Sequence, residues 1–315
     1  MAQINANGIS LEYDEIGPRD GAPVLLISGY TAQMTDWTDV FRDGLVQAGL
    51  RVIRYDNRDA GLTQRWDGIV PDLKQVAAAL REGRKPPVPY VLADLAADAA
   101  ALLDALGVTS AHVMGRSMGG MIAQLVALEH PAKARSLVSL MSTTSDPSLP
   151  RSAPETQEAL MKRPPTGDRE AAIEHSLWVR SSYASTKFPM DREILRARVG
   201  ANYDRAFYPE GAARQWAAIM AAGPRSERLK TLKVPALVLH GSVDRLIPPE
   251  AGRHTAACIP GAAYREIDGW GHDFPDSVVP VLLGHILPFV AKVEDMREDG
   301  FAIPVTPGCC GAGVN

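Results

Sequence analysis

Ser117 stands between glycines in Gly115-Arg116-Ser117-Met118-Gly119, directly after the apolar run Ala111 to Met114. Apolar residues then recur at Met118, Met121, Ile122 and Leu125. This spacing predicts a helix that begins at the serine, and His130-Pro131 ends it. A GxSxG sequence with a strand before it and a helix after it fits a nucleophile elbow, whose strained turn lifts a hydroxyl above a sheet edge. Both glycines then have a steric purpose, because strand and helix must approach closely. A serine that only caps a helix after a tight turn is the competing reading. The flanking strand and helix favour the nucleophile.

A serine hydroxyl needs a base to take its proton and an acid to orient that base. His272, between Gly271 and Asp273 in DGWGHDFPD, follows an apolar strand and sits in a glycine-rich loop. The other six histidines lack such a position. His112 and His240 fall in strand patterns, His130 and His285 in or at helix ends, and His175 and His254 in helical stretches. Asp244 follows the run ending at His240-Gly241 in VPALVLHGSVDRLIPPE, in a short loop before a proline-initiated helix. It is the expected acid, with Asp146 and Asp273 as alternatives. The order Ser117, Asp244, His272 suits this architecture. Developing oxyanion charge needs fixed donors. The backbone N–H of Met118 supplies one, and that of Tyr30, after Ser28-Gly29, the other.

To bring these residues together the chain needs a sheet. Short apolar runs at Pro23 to Ile27, Leu50 to Tyr55, Ala111 to Met114, Ser136 to Met141, Ala236 to His240 and Ala263 to Ile267 predict buried strands. Helical patterns separate them, such as Leu92 to Leu106, which stops at Gly107. This alternation predicts an α/β fold with a mostly parallel, doubly wound sheet. Ile4 to Ile16, with Asn7-Gly8 at its middle, predicts an antiparallel hairpin at the N-terminal edge.

The alternation fails between about Ser145 and Gly223, where prolines and helical patterns occur without a convincing strand. The expected organisation is a core of residues 1–144 and 224–293, a helical cap of residues 145–223 and a tail of residues 294–315. Trp178, Tyr183, Tyr208 and Trp216 in the insertion are pocket candidates, although aromatics also serve packing. Residues 64–90 form a second excursion, expected to be loop, helix, loop on the same rim.

With 33 basic and 37 acidic residues the net charge is −4, so there is no electrostatic footprint for nucleic acid or anionic lipid. A small-molecule partner is expected, with oligomeric state open. The opening MAQINANGISLEYDEIG lacks the basic and apolar regions of a signal peptide, and no apolar run reads as long enough to span a bilayer. Cytoplasmic residence is the expectation. Three cysteines, with Cys309 and Cys310 adjacent in a glycine-rich tail, write no disulfide framework. No HExxH or paired Cys/His spacing suggests a metal, and no phosphate cradle suggests a nucleotide, so neither metal nor cofactor is expected.

RVIRYDNRDAGLT, AHVMGRSMGG, VLHGSVDRLIP and GWGHDFP, in this order, resemble the α/β-hydrolase fold family, and more closely its esterases related to the anthracycline methyl esterases. The likeness covers nearly everything except cap details and the tail. It implies a Ser117-His272-Asp244 triad with Tyr30 and Met118 at the oxyanion. Many members carry His-Gly where this chain has Ser28-Gly29. Asp56-Asn57-Arg58-Asp59 resembles the family's structural turn, with buried charges fixing the loop. The leading expectation is a serine carboxylesterase for small to medium apolar esters. A cofactor-free perhydrolase or haloperoxidase, passing the acyl group to peroxide, and a ligand receptor that keeps the pocket are the alternatives. Haloalkane dehalogenases and epoxide hydrolases place Asp at the elbow, where this chain has Ser117.

Overall fold

The computed structural model describes residues 1–299. Eight strands, β1 (Ala2–Ala6), β2 (Ile9–Ile16), β3 (Pro23–Ile27), β4 (Arg51–Tyr55), β5 (Ala111–Arg116), β6 (Ala134–Leu140), β7 (Ala236–Gly241) and β8 (Ala263–Ile267), form one sheet. Their order is β1-β2-β4-β3-β5-β6-β7-β8. β1 and β2 pair antiparallel, as do β2 and β4, while the other pairs are parallel. The hairpin turn is Asn7-Gly8, with φ of 50° and 75°. Positive φ at both positions gives a turn whose twist matches its strands.

The parallel strands are joined by α1 (Asp39–Gln47), α2 (Leu73–Arg81), α3 (Leu92–Ala105), α4 (Met118–Glu129), α5 (Pro154–Met161), α6 (Arg169–Ser181), α7 (Arg192–Ala206), α8 (Glu210–Ala221), α9 (Ser226–Leu229) and α10 (Pro249–Cys258), and α11 (Val279–Glu298) follows the last strand. Alternation along β3 shows how both faces are covered. Leu25 and Ile27 pack with residues of α3 and α4, and Val24 and Leu26 with residues of α1 and α11. Successive side chains of a strand point to opposite faces, so a fully apolar strand needs helices on both.

Between β6 and β7 the described chain forms helices and no strand. Part of this insertion has its own small apolar cluster of Ile173, Leu177 and Val199. The excursion at residues 64–90 holds the single helix α2, capped by the Asp72 carboxylate, which accepts the N–H groups of Lys74 and Gln75. α11 continues to Glu298, beyond position 294 where the tail was expected to begin. Val293 is buried there, and Glu294 pairs with Arg135 at 2.6 Å. Asp276–Glu298 is also long and apolar enough to cross a bilayer by length and composition, contrary to the sequence reading. Val279, Leu282, Ile286 and Val290 spend that apolarity on the sheet face. Cys309 and Cys310 lie outside the described residues.

Candidate active site

Ser117 occupies the sharp turn from β5 into α4 with φ 55° and ψ −124°, a region that side chains rarely adopt. Strain of this kind costs about 1–3 kcal/mol and persists only where its surroundings enforce it. Here the Ser117 N–H donates to Leu140 O at 2.9 Å, and Ser142 Oγ donates to Ser117 O at 2.7 Å. A Cβ at Gly115 would collide with the Gly119 carbonyl, and one at Gly119 with the Ile27 carbonyl. The hydroxyl makes no capping bond to α4.

Instead, Ser117 Oγ lies 3.0 Å from His272 Nε2, and His272 Nδ1 lies 2.7 Å from Asp244 Oδ2. A carboxylate only accepts, so Nδ1 carries the imidazole proton and Nε2 is left to accept from the serine. Asp244 Oδ1 accepts the N–H groups of Leu246 and Ile247 at 2.9 and 2.8 Å. Its Oδ2 also faces His240 Nε2 at 3.3 Å. Burial alone would raise the Asp244 carboxyl, but the imidazoles of His272 and His240 outweigh it and bring the value down to about 2. The other acids are engaged elsewhere. Asp146 accepts from Ser148 and Ser226, and Asp273 accepts from Ser185. Burial raises Asp273 above the ordinary carboxylate range.

The loop after β3 lies against this turn. A Cβ at Gly29 would stand 3.3 Å from both Arg116 O and Ser117 Cβ. The loop is held from behind, since Asn57 Nδ2 donates to Ser28 O at 2.9 Å and Ser28 Oγ donates to Gln33 O at 3.1 Å. Ser28 therefore anchors this turn through both its carbonyl and its hydroxyl. Tyr30 and Met118 both border the cavity beside Ser117, with Tyr30 edge-on to Trp216 at 5.8 Å.

Asp56 to Asp59 form a buried ionic frame without reaching the cavity. Asp56 pairs with Arg205 at 2.8 Å and accepts the Met34 N–H at 2.7 Å. Arg58 forks onto Asp98, and Asp59 takes both arms of Arg214 at 2.8 Å. Arg205 and Arg214 belong to α7 and α8, so the frame fastens the insertion to the core.

Above Ser117 opens a cavity of about 470 Å³. Met121, Met141, Leu160, Phe207, Trp216 and Ile219 supply apolar wall. Tyr183 and Tyr208 also border it. Trp178 does not: it is 43% exposed on the outer side of α6, with the Lys162 ammonium over its ring. Helical periodicity cannot tell a cavity face from a solvent face in a short amphipathic insertion. Sequence reasoning also passed over His240, read as a strand histidine, and Arg116. The position of Arg116 inside the elbow was the available signal. Burial lowers its guanidinium to about 10, with Asp36 acting in the opposite direction. Among the described residues no group of His, Cys, Asp and Glu could hold a metal ion.

An alpha/beta hydrolase fold family matches residues 22–276. The rhodomycin D methylesterase DauP of Streptomyces sp. (strain C5) is 30% identical over 302 residues, covering 87% of this chain and 93% of that one. The rhodomycin D methylesterase DnrP of Streptomyces peucetius is 30% identical over 301 residues, with the same coverage of 87% and 93%. Among solved structures, a thermophilic esterase from Thermogutta terrifontis superposes with a TM-score of 0.70 at 23% identity, covering 93% of this chain and 99% of that one. The chain belongs to the alpha/beta hydrolase fold family.

Proposed function

We propose that the protein is a serine carboxylesterase acting on small to medium, largely apolar esters. Ser117 Oγ attacks the ester carbonyl as His272 Nε2 takes its proton. The N–H groups of Tyr30 and Met118 receive the oxyanion. His272 then returns the proton to the departing alcohol, and a water deprotonated by the same imidazole releases the acid from Ser117. Asp244 keeps the imidazole in the required tautomer and stabilises its charged form. Residues 145–223 serve as a cap over the pocket, with 1–144 and 224–293 as the hydrolase core. The substrate is a small molecule that meets the enzyme in the cytoplasm.

The observation that carries this reading is the unbroken hydrogen-bonded line from Ser117 through His272 to Asp244 at the floor of an apolar cavity. Likeness to two methylesterases supports a small alcohol as leaving group. A series of p-nitrophenyl esters from acetate to decanoate tests it. Hydrolysis is expected to favour the shorter acyl chains and to fall roughly 10⁴–10⁶-fold in Ser117→Ala. Undiminished turnover in that variant would exclude the mechanism.

A further inference from the structure

Arg116 separates Gly115 from the nucleophile, and no hydrogen-bond acceptor among the described residues pairs with its guanidinium. The residue is only 8% exposed. Its Nε is buried with no hydrogen-bond partner among the described residues. The nearest carboxylate, Asp36, is 4.0 Å from Nη2, beyond hydrogen-bond reach. Asp36 is moreover occupied, since Oδ1 accepts from Arg180 at 3.1 Å and Oδ2 from the Gln33 N–H at 3.0 Å. Trp37 and Phe274 hold the guanidinium carbon over their rings at 5.3 and 5.4 Å. Aromatic faces attract a cation but accept no directed bond from its in-plane N–H groups.

Arg116 borders the same cavity as Ser117. The charged groups on that wall are Arg116, Arg180 and Lys162 against the single carboxylate of Asp36. Asp273 accepts from Ser185, and Asp276 pairs through Oδ2 with Arg198 at 3.0 Å while its Oδ1 is buried without a partner among the described residues; neither residue borders the cavity. Burying a guanidinium without hydrogen-bonded compensation is unfavourable, and folded proteins seldom leave such donors unmet. Nε is shut away from solvent, so an acceptor arriving in the cavity would meet the Nη groups.

We infer that Arg116 binds a carboxylate carried by the substrate, so that the enzyme cleaves half-esters of short dicarboxylic acids. A planar guanidinium matches a carboxylate through two parallel N–H···O bonds, a geometry that a neutral ester group cannot reproduce. Arg116 and Ser117 are adjacent in the chain and both border the cavity, so a short carbon spacer separates the free carboxylate from the scissile carbonyl. The apolar walls then surround the spacer and the departing alcohol. This inference rests on the ester cleavage proposed above and narrows its substrate class: spacer and alcohol stay apolar, and the one charged group is the carboxylate at Arg116.

The test compares monomethyl succinate, glutarate and adipate with their dimethyl esters, which present the same reacting bond without the charge. At least one half-ester is expected to exceed its dimethyl twin by tenfold or more in kcat/KM. In Arg116→Met the half-ester should lose at least tenfold more than the dimethyl ester, while Arg116→Lys should retain part of the preference. Calorimetric binding of the same half-esters in the Ser117→Ala background, with and without Arg116→Met, needs no turnover. A tenfold weaker Kd in the variant would uphold the subsite even if ester cleavage itself failed. Wild-type preference for the dimethyl esters, equal losses on both substrates, or unchanged Kd would overturn it.

Discussion

The His272 backbone N–H donates to the carbonyl oxygen of Tyr183 at 2.8 Å, so main chain of the insertion holds the loop that carries the imidazole. The contact is extended on both sides. The N–H groups of Thr186 and Lys187 donate to Gly269 O at 2.8 and 3.1 Å, and the Gly271 N–H donates to Ser185 Oγ at 2.9 Å. The insertion therefore lines part of the cavity and also fixes where the proposed base stands.

Ser185→Ala tests that dependence. It removes the acceptor of the Gly271 N–H and the hydroxyl that donates to Asp273. Stability should fall by about 1–3 kcal/mol, read by chemical denaturation, with kcat lowered more than KM is raised. Unchanged kcat would mean that the loop holds itself.

Asp244→Asn should lower kcat roughly 10⁴-fold, because an amide no longer enforces the tautomer in which Nε2 accepts the serine proton. It should also change the acid limb of stability. A carboxyl lowered from its ordinary 3.8 to about 2 in the fold stabilises the protein above pH about 4 and loses that contribution as pH falls through about 2. Melting temperatures of wild type and variant should differ at pH 7 and converge toward pH about 2.

Arg214→Met leaves Asp59 buried without its principal counter-charge. Both side chains are buried, and the pair is bidentate at 2.8 Å. Removing one partner of such a pair costs about 3–5 kcal/mol, measurable by urea titration. Adding Asp59→Asn should restore part of the loss, because the stranded charge is then gone.

Gly29→Ala addresses the oxyanion loop. The added methyl would press on Arg116 O and Ser117 Cβ at 3.3 Å and move the Tyr30 N–H away from the reacting carbonyl. A misplacement of about 1 Å costs roughly 10²-fold, and the neighbours here need give only a few tenths of an ångström, so kcat should fall by less than that. A normal kcat would remove the Tyr30 N–H from the mechanism.

The parts legible in sequence were those whose signals are local. The elbow glycines, the apolar β5 and the periodicity of α4 lie within two dozen residues, and Asn7-Gly8 and Gly107 mark their turns by conformation alone. Asp244 was favoured among three acids from its place after β7, and its Oδ2 lies 2.7 Å from His272 Nδ1. The rest depends on contacts between distant residues. Neither the approach of His240 to Asp244 nor the grip of Tyr183 on His272 follows from spacing, because each is set by how the insertion and the β7 loop pack. Trp178 and Trp216 read alike in sequence, yet one faces solvent and the other the cavity.

The central claim is that Ser117 is the attacking group and His272 its base. A serine-directed alkyl phosphonate followed by peptide mapping tests it most directly. Label is predicted on Ser117 alone, absent in Ser117→Ala and greatly slowed in His272→Ala. Label on another residue, or equal labelling rates with and without the imidazole, would contradict it.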